Sequence, residues 1–192
     1  MQESTQTDAD GGTDVGPDIF TARTHLKPYE YTDFLDYVDA VRNSYWVHEE
    51  FNFDGDVQDY RVNTTPAEQT TIKRTMLAIA QIEVQVKTFW SDIYRDMPKA
   101  EIGNVGMTFA ESEVRHMDAY SHLLDVLGIE DEFERITEVP AIQQRIEYLE
   151  DYLEMGSSDS KEESVMGILL FSTFVEHVSL FSQFLIMTSF DK

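Results

Sequence analysis

The sequence predicts an all-α fold built from long helices of bundle type. Three observations predict it. Apolar residues recur at steps of three and four over several long stretches. Cap residues, prolines and glycines bracket those stretches as helix starts and stops. No stretch alternates apolar and polar residues as a half-buried strand does, and no repeat of about 20–50 residues stands out. The 192 residues are enough for one domain with a real core, and 42% of them are apolar.

Residues 1 to about 18 read as a disordered acidic tail of Asp, Thr, Gly and Gln, which leaves 19–192 as the folded domain. From Tyr29 to about Trp46, the spacing of Phe34, Tyr37, Val38, Val41 and Tyr45 predicts a first helix. Phe51 to Val62 reads as a polar connection with a turn at Asp54-Gly55. Thr65-Pro66-Ala67-Glu68 supplies a cap, a first-turn proline and a first-turn acid, opening a helix that runs to about Met97, where Pro98 ends it. A second long helix spans roughly 101–127 and stops at Gly128. A shorter amphipathic helix covers about 140–154, followed by a loop at Gly156-Ser157-Ser158-Asp159. Ser160 with Glu163 makes a capping box for the last helix, about 161–188.

Composition excludes several functions. There is no cysteine, hence no disulfide, thiolate zinc site, iron–sulfur cluster or cysteine nucleophile. The lack of cysteine and of a signal peptide at the polar, acidic start fits a cytoplasmic location. The apolar stretch 162–190 is interrupted by Ser172, Thr173, Glu176, His177 and Gln183, so it reads as a buried soluble helix rather than a membrane span. The net charge of −23 repels nucleic acid and argues against that partner. The acidity is either a solvated surface or an adaptation to a salty, halophilic cytoplasm, where screening weakens self-repulsion. In the second case thermal stability rises steeply from low salt to molar potassium chloride. An equal midpoint in both removes that idea.

Chemistry shows where charged residues break apolar stripes. One stripe runs Ile72, Met76, Ile79, Glu83, Val86, Trp90 and Ile93, so Glu83 fills an apolar slot. On the 101–127 helix the stripe is Phe109, Glu113, His116, Tyr120, Leu123 and Leu127. Glu113 and His116 lie three apart on one face, with Tyr120 one turn beyond. Glu176 lies among Leu169, Leu170, Phe174, Val178, Leu180 and Phe181. Three buried glutamates repel each other unless a cation lies between them. Oxygen and imidazole ligands without thiolate suit iron or manganese, and inward glutamates with Glu-x-x-His are how helical bundles hold a metal pair. On spacing alone a second reading stands beside it: acids paired with a buried basic side chain such as Lys87 or Arg115, and Tyr120 an ordinary core residue.

At these residues the chain resembles the small, radical-generating subunit of ribonucleotide reductase. The stretches that carry the resemblance are Met76-Leu-Ala-Ile-Ala-Gln-Ile-Glu83 continuing to Phe89-Trp90, and Gly106-Met-Thr-Phe-Ala-Glu-Ser-Glu113-Val-Arg-His116-Met-Asp-Ala-Tyr120. Tyr45-Trp46 before Glu49-Glu50-Phe51, and Phe174-Val-Glu176-His-Val-Ser-Leu-Phe, add to it. It covers about residues 25–192. The resemblance implies a ferritin-like bundle and a di-iron centre, with di-manganese as the alternative. It implies Glu83, Glu113, His116 and Glu176 as ligands, with Glu113 bridging. Tyr120 would be the residue oxidised to a tyrosyl radical. Trp46 would begin radical transfer to the large (alpha) subunit for deoxyribonucleotide synthesis. Phe109, Leu180 and Phe184 are candidates for the apolar shield around the radical. Many relatives have Asp in place of Glu83, and Phe in place of Leu180.

The family pattern also has a fourth ligand helix with a second Glu-x-x-His, and a C-terminal tail that docks on the large subunit. Neither is found after Glu176, and 130–165 has no histidine. The expectation is therefore four of six side-chain ligands, weak metal binding and no reductase activity for this chain alone. A fragment, one piece of a split subunit completed by a second chain, and the upstream part of an intein-interrupted gene all fit. The resemblance implies a homodimer. Two competing functions are another ferritin-like di-metal oxidase and a metal-free helical assembly protein.

Overall fold

The computed structural model describes residues 18–190. Apart from Asp18, the acidic tail of the sequence reading lies outside the described residues. Among the described residues all regular structure is helical. The helices are α1 (Phe34–Asn43), α2 (Asp54–Val62), α3 (Pro66–Ile82), α4 (Val86–Asp96), α5 (Ala100–Leu127), α6 (Glu130–Phe133), α7 (Pro140–Gly156), α8 (Lys161–Leu170) and α9 (Phe181–Thr188). A π-helical stretch, Phe171–Leu180, joins α8 to α9 without a break.

Where caps are strong, the expected boundaries hold. Thr65 and Glu68 form a complete capping box, with Thr65 N–H donating to Glu68 Oε2 at 2.7 Å. α5 ends at Gly128, the one described residue with positive φ, 71°. Gly128 N–H donates to Asp125 O and Ile129 N–H to Leu124 O, both at 3.0 Å, a Schellman closure that needs a left-handed residue. Ser160 caps α8 through Glu163 N–H, but the Glu163 carboxylate turns to Ser158 Oγ at 2.6 Å, so that box is half made.

Four expectations are corrected. The first helix is shorter than 29–46, because Glu30 and Tyr31 spend their N–H groups on the buried Glu101 carboxylate, at 2.8 and 3.1 Å. Residues 54–62 are helical rather than a connection. Asn52 Oδ1 accepts from Asp54 N–H at 2.9 Å, and Asp54 and Asp56 face the helix N-terminus, so Asp54-Gly55 starts a helix. The expected single helix 66–97 is two, interrupted at 83–85. Lys87 Nζ compensates the interruption by donating to the carbonyls of Glu83 and Val84, at 3.1 and 3.2 Å. The fourth correction concerns the last helix, expected to be buried. Phe171, Val175 and Leu180 are buried, but Leu169, Val178, Phe181 and Leu185 are 53–73% exposed. By length and composition alone, Lys161–Thr188 could cross a membrane.

The main core gathers Ile79, Ile82, Val86, Phe89, Ile93, Ile102, Leu149, Phe171, Val175 and Leu180. A second core, Leu77, Ala80, Leu124, Ile129 and Ile136, lies under the α5–α6 corner. Tyr120 packs against both. Helices α4 and α5 form a hairpin through residues 97–99, and its tightest point is Gly106. A Cβ there would lie 2.5 Å from the Trp90 carbonyl, so only glycine lets the two backbones meet. That contact sets Trp90 edge-on to Phe109, with ring centres 4.9 Å apart.

Candidate metal centre

Helix α5 presents Glu113 and His116 on one face, three residues apart, and His116 Nδ1 lies 2.8 Å from Glu113 Oε2. The interruption after α3 places Glu83 opposite them. One potential ligand atom from each of Glu83, Glu113 and His116 lies within 4.8 Å of the others. Glu83 is 3% exposed, and its Oε2 is buried without a hydrogen-bond partner. Burial first, then the charge and the close carboxyl of Glu113, then the charge of Glu176, push the Glu83 carboxyl up to about 9, with Lys87 opposing. Glu83, Glu113 and His116 thus converge from the end of α3 and from α5, while Lys87 spends its ammonium on backbone carbonyls.

Glu176, on the π-helical stretch, is half-buried beside this group rather than within it. Trp90 Nε1 donates to Glu176 Oε1 at 3.2 Å. Burial and the charge of Glu113 raise the Glu176 carboxyl to about 7, although the Trp90 bond works the other way. A cleft of about 290 Å³ lined by Val41, Trp90, Phe109, Ser112, Glu113, Ser172, Glu176 and His177 connects the two carboxylates. In the sequence Trp90 stands as a stripe residue and as part of the stretch that carries the resemblance, with no sign of its bond to Glu176. Its indole N–H needs a partner once buried.

The basic-partner alternative is not what the fold builds. Lys87 Nζ goes to two carbonyls and to Met117 Sδ, and Arg115 pairs with Glu111. An orphaned buried oxygen and converging oxygen and imidazole donors fit a divalent ion. Tyr120 is packed one turn along α5. Burial, and then the charges of Glu83 and Glu113, raise its phenol well above the ordinary tyrosine range, so the ring is a neutral phenol. Trp46 stacks on His116, with ring centres 5.8 Å apart and planes 26° apart. Leu180 is buried in the main core and Phe109 lines the cleft. Phe184 is 43% exposed, so its position gives the expected shield no support.

The family model for the ribonucleotide reductase small chain matches residues 23–192. The chain belongs to this family. Curated relatives of this small chain include the Probable ribonucleoside-diphosphate reductase small subunit 048L of Invertebrate iridescent virus 3, 27% identical over 188 residues. Another is 376L of Invertebrate iridescent virus 6, 28% identical over 186 residues. The matches cover 91% and 90% of this chain but 50% and 51% of those proteins, so the chain spans about half the length of the curated relatives it matches. The fold is that of small-chain structures. The ribonucleotide reductase R2 subunit from Clostridium botulinum superposes with TM-score 0.72 at 16% identity, over 82% of this chain and 50% of that one. The dimanganese(II)-NrdF of Streptococcus sanguinis gives 0.71 at 15%, over 87% and 58%. The ferritin-like helical architecture expected of a small chain is thereby established.

Proposed function

We propose that this chain carries Glu83, Glu113, His116 and Glu176 as ligands of a carboxylate-bridged metal pair in a cytoplasmic ribonucleoside-diphosphate reductase small subunit. The observation that carries the reading is the partnerless Glu83 oxygen facing Glu113 and His116. A bound pair of iron or manganese ions would supply the oxidising equivalents through reaction with oxygen. The residues of this chain do the rest. Glu83, Glu113, His116 and Glu176 would hold the ions, and the two buried carboxylates Glu83 and Glu113 would offset their charge. Trp90 orients Glu176 toward the cleft. Tyr120 is held as a neutral phenol, so it must lose its proton as well as an electron to become a radical. Trp46, stacked on His116, is placed to pass the oxidising equivalent outward, toward the large subunit.

The uncovered apolar face of α8 to α9 and the open cleft beside Glu176 support completion of the site by a further segment, or by a second chain, with the remaining ligands. A homodimer belongs to the same reading. The test is reconstitution of this chain together with the segment or second chain that completes the site, with iron(II) under argon, then oxygen, read by metal analysis and electron paramagnetic resonance. The expected outcome is a tyrosyl signal that vanishes in Tyr120→Phe at unchanged metal content. Metal content that is the same in Glu113→Ala as in the parent sinks the reading.

A further inference from the structure

Arg115 sits between two proposed ligands on α5, yet its side chain, 6% exposed, pairs with Glu111 rather than with either of them. Its Nε donates to the Glu111 carboxylate at 3.2 and 3.1 Å. Its Nη1 donates to the Trp46 carbonyl at 3.3 Å. Its guanidinium carbon lies 4.5 Å from the centre of the Tyr45 ring and 5.7 Å from that of Trp46. Residues 45–47 belong to no helix. Their attachment to α5 is therefore a matter of side-chain contacts, and Arg115 makes the polar one.

We propose that Arg115 is a positioning residue for Trp46, holding the 45–47 loop on α5 so that the indole stays stacked on His116. The inference rests on the Trp46 role proposed above and names the residue that sets its geometry. Arginine suits the task where lysine does not. A planar fork binds Glu111 along one edge and the carbonyl from the other, while its flat face covers Tyr45. Glu111, half exposed, offsets the cost of burying the cation and aims it. Burying a full charge to hold one carbonyl is a poor source of stability, so geometry is the better explanation of its place.

The chain has two tryptophans, so protein labelled with 5-fluorotryptophan shows two fluorine resonances, assigned by Trp46→Phe. In Arg115→Met, the Trp46 resonance is expected to move most of the way to its position in urea, while that of Trp90 stays. Arg115→Lys should move it part of the way. A general loosening would shift both resonances, which would overturn the proposal, as would an unmoved Trp46. Should Arg115→Met fail to fold, Glu111→Ala changes a half-exposed residue and should shift Trp46 alone, by less. An unmoved Trp46 in both Glu111→Ala and Arg115→Lys overturns the proposal equally. The readout needs neither metal nor large subunit. The radical-transfer reading fails separately, when Trp46→Phe keeps full turnover in the complete enzyme.

Discussion

Replacing Glu83 by glutamine is expected to stabilise the metal-free protein and to destroy its metal affinity. The two effects have one cause. The Glu83 carboxyl is raised from its usual 4.5 to about 9, by burial first and then by Glu113 and Glu176. A raised acid binds its proton more tightly in the folded than in the unfolded chain. Its contribution to stability is therefore complete below pH 4.5 and is lost as pH climbs toward about 9. The metal-free protein should weaken steadily across that window. Glutamine carries no charge at any pH and removes that part of the slope. Near pH 8 the thermal midpoint of Glu83→Gln should exceed that of the parent by roughly 5–10 °C. Manganese(II) or iron(II) reverses the order, because the parent gains binding energy that the variant has lost. Loss of Glu83 as the proposed direct ligand should weaken binding by more than ~100-fold, beyond the usual effect of an outer-sphere partner. Thermal scans from pH 5 to 9, with and without metal, decide the matter. Equal pH slopes in parent and variant, or equal metal protection, would contradict it.

The second large effect lies far from the proposed metal ligands. Glu101 is fully buried and accepts four hydrogen bonds, two from Arg23 at 3.1 and 2.6 Å and one each from the N–H groups of Glu30 and Tyr31. Lys99 completes the cluster through Glu30 at 2.7 Å. Burial alone would raise this carboxyl. The bonds from Arg23 and the backbone outweigh it and hold the group down to about 2. A depressed acid stabilises above its unfolded value of 4.5, and that contribution is lost as pH falls toward about 2. Glu101→Ala leaves a guanidinium and two peptide N–H groups without their acceptor. The segment from Asp18 to Tyr31 should detach from the head of α5, and the midpoint should fall by on the order of 10 °C. Amide exchange at Glu30 and Tyr31 should accelerate before exchange in α5. Protection at both that matches the parent would show that the acid does not hold the strap.

Legibility in the sequence followed the range of the forces involved. The Thr65–Glu68 box, Pro140 at the start of α7 and Gly128 at the end of α5 act within one turn, and they mark boundaries that the structure keeps. Glu83, Glu113 and His116 were legible as charges in apolar slots, because helical periodicity alone sets which face they share. Glu176 was legible in the same way. Its separation from the other three depends on the π-helical stretch and on Trp90, neither of which leaves a mark in the spacing. The interruption at 83–85 has no Gly or Pro to announce it. It is compensated by Lys87, whose ammonium reaches carbonyls that a continuous helix would not release.

What the sequence by itself determined is the all-α class, the helix ends that carry their own caps, and the acids and imidazole that stand in apolar slots. What only the tertiary structure decided is which of those groups meet, where the first helix yields its N–H groups to Glu101, and how Arg115 fastens Trp46 beside His116. The physical reason is separation along the chain. Glu30 and Glu101 are 71 residues apart, and Trp46 and Arg115 are 69 apart. Bonds between such residues compete with local helix formation only after the bundle has brought them together.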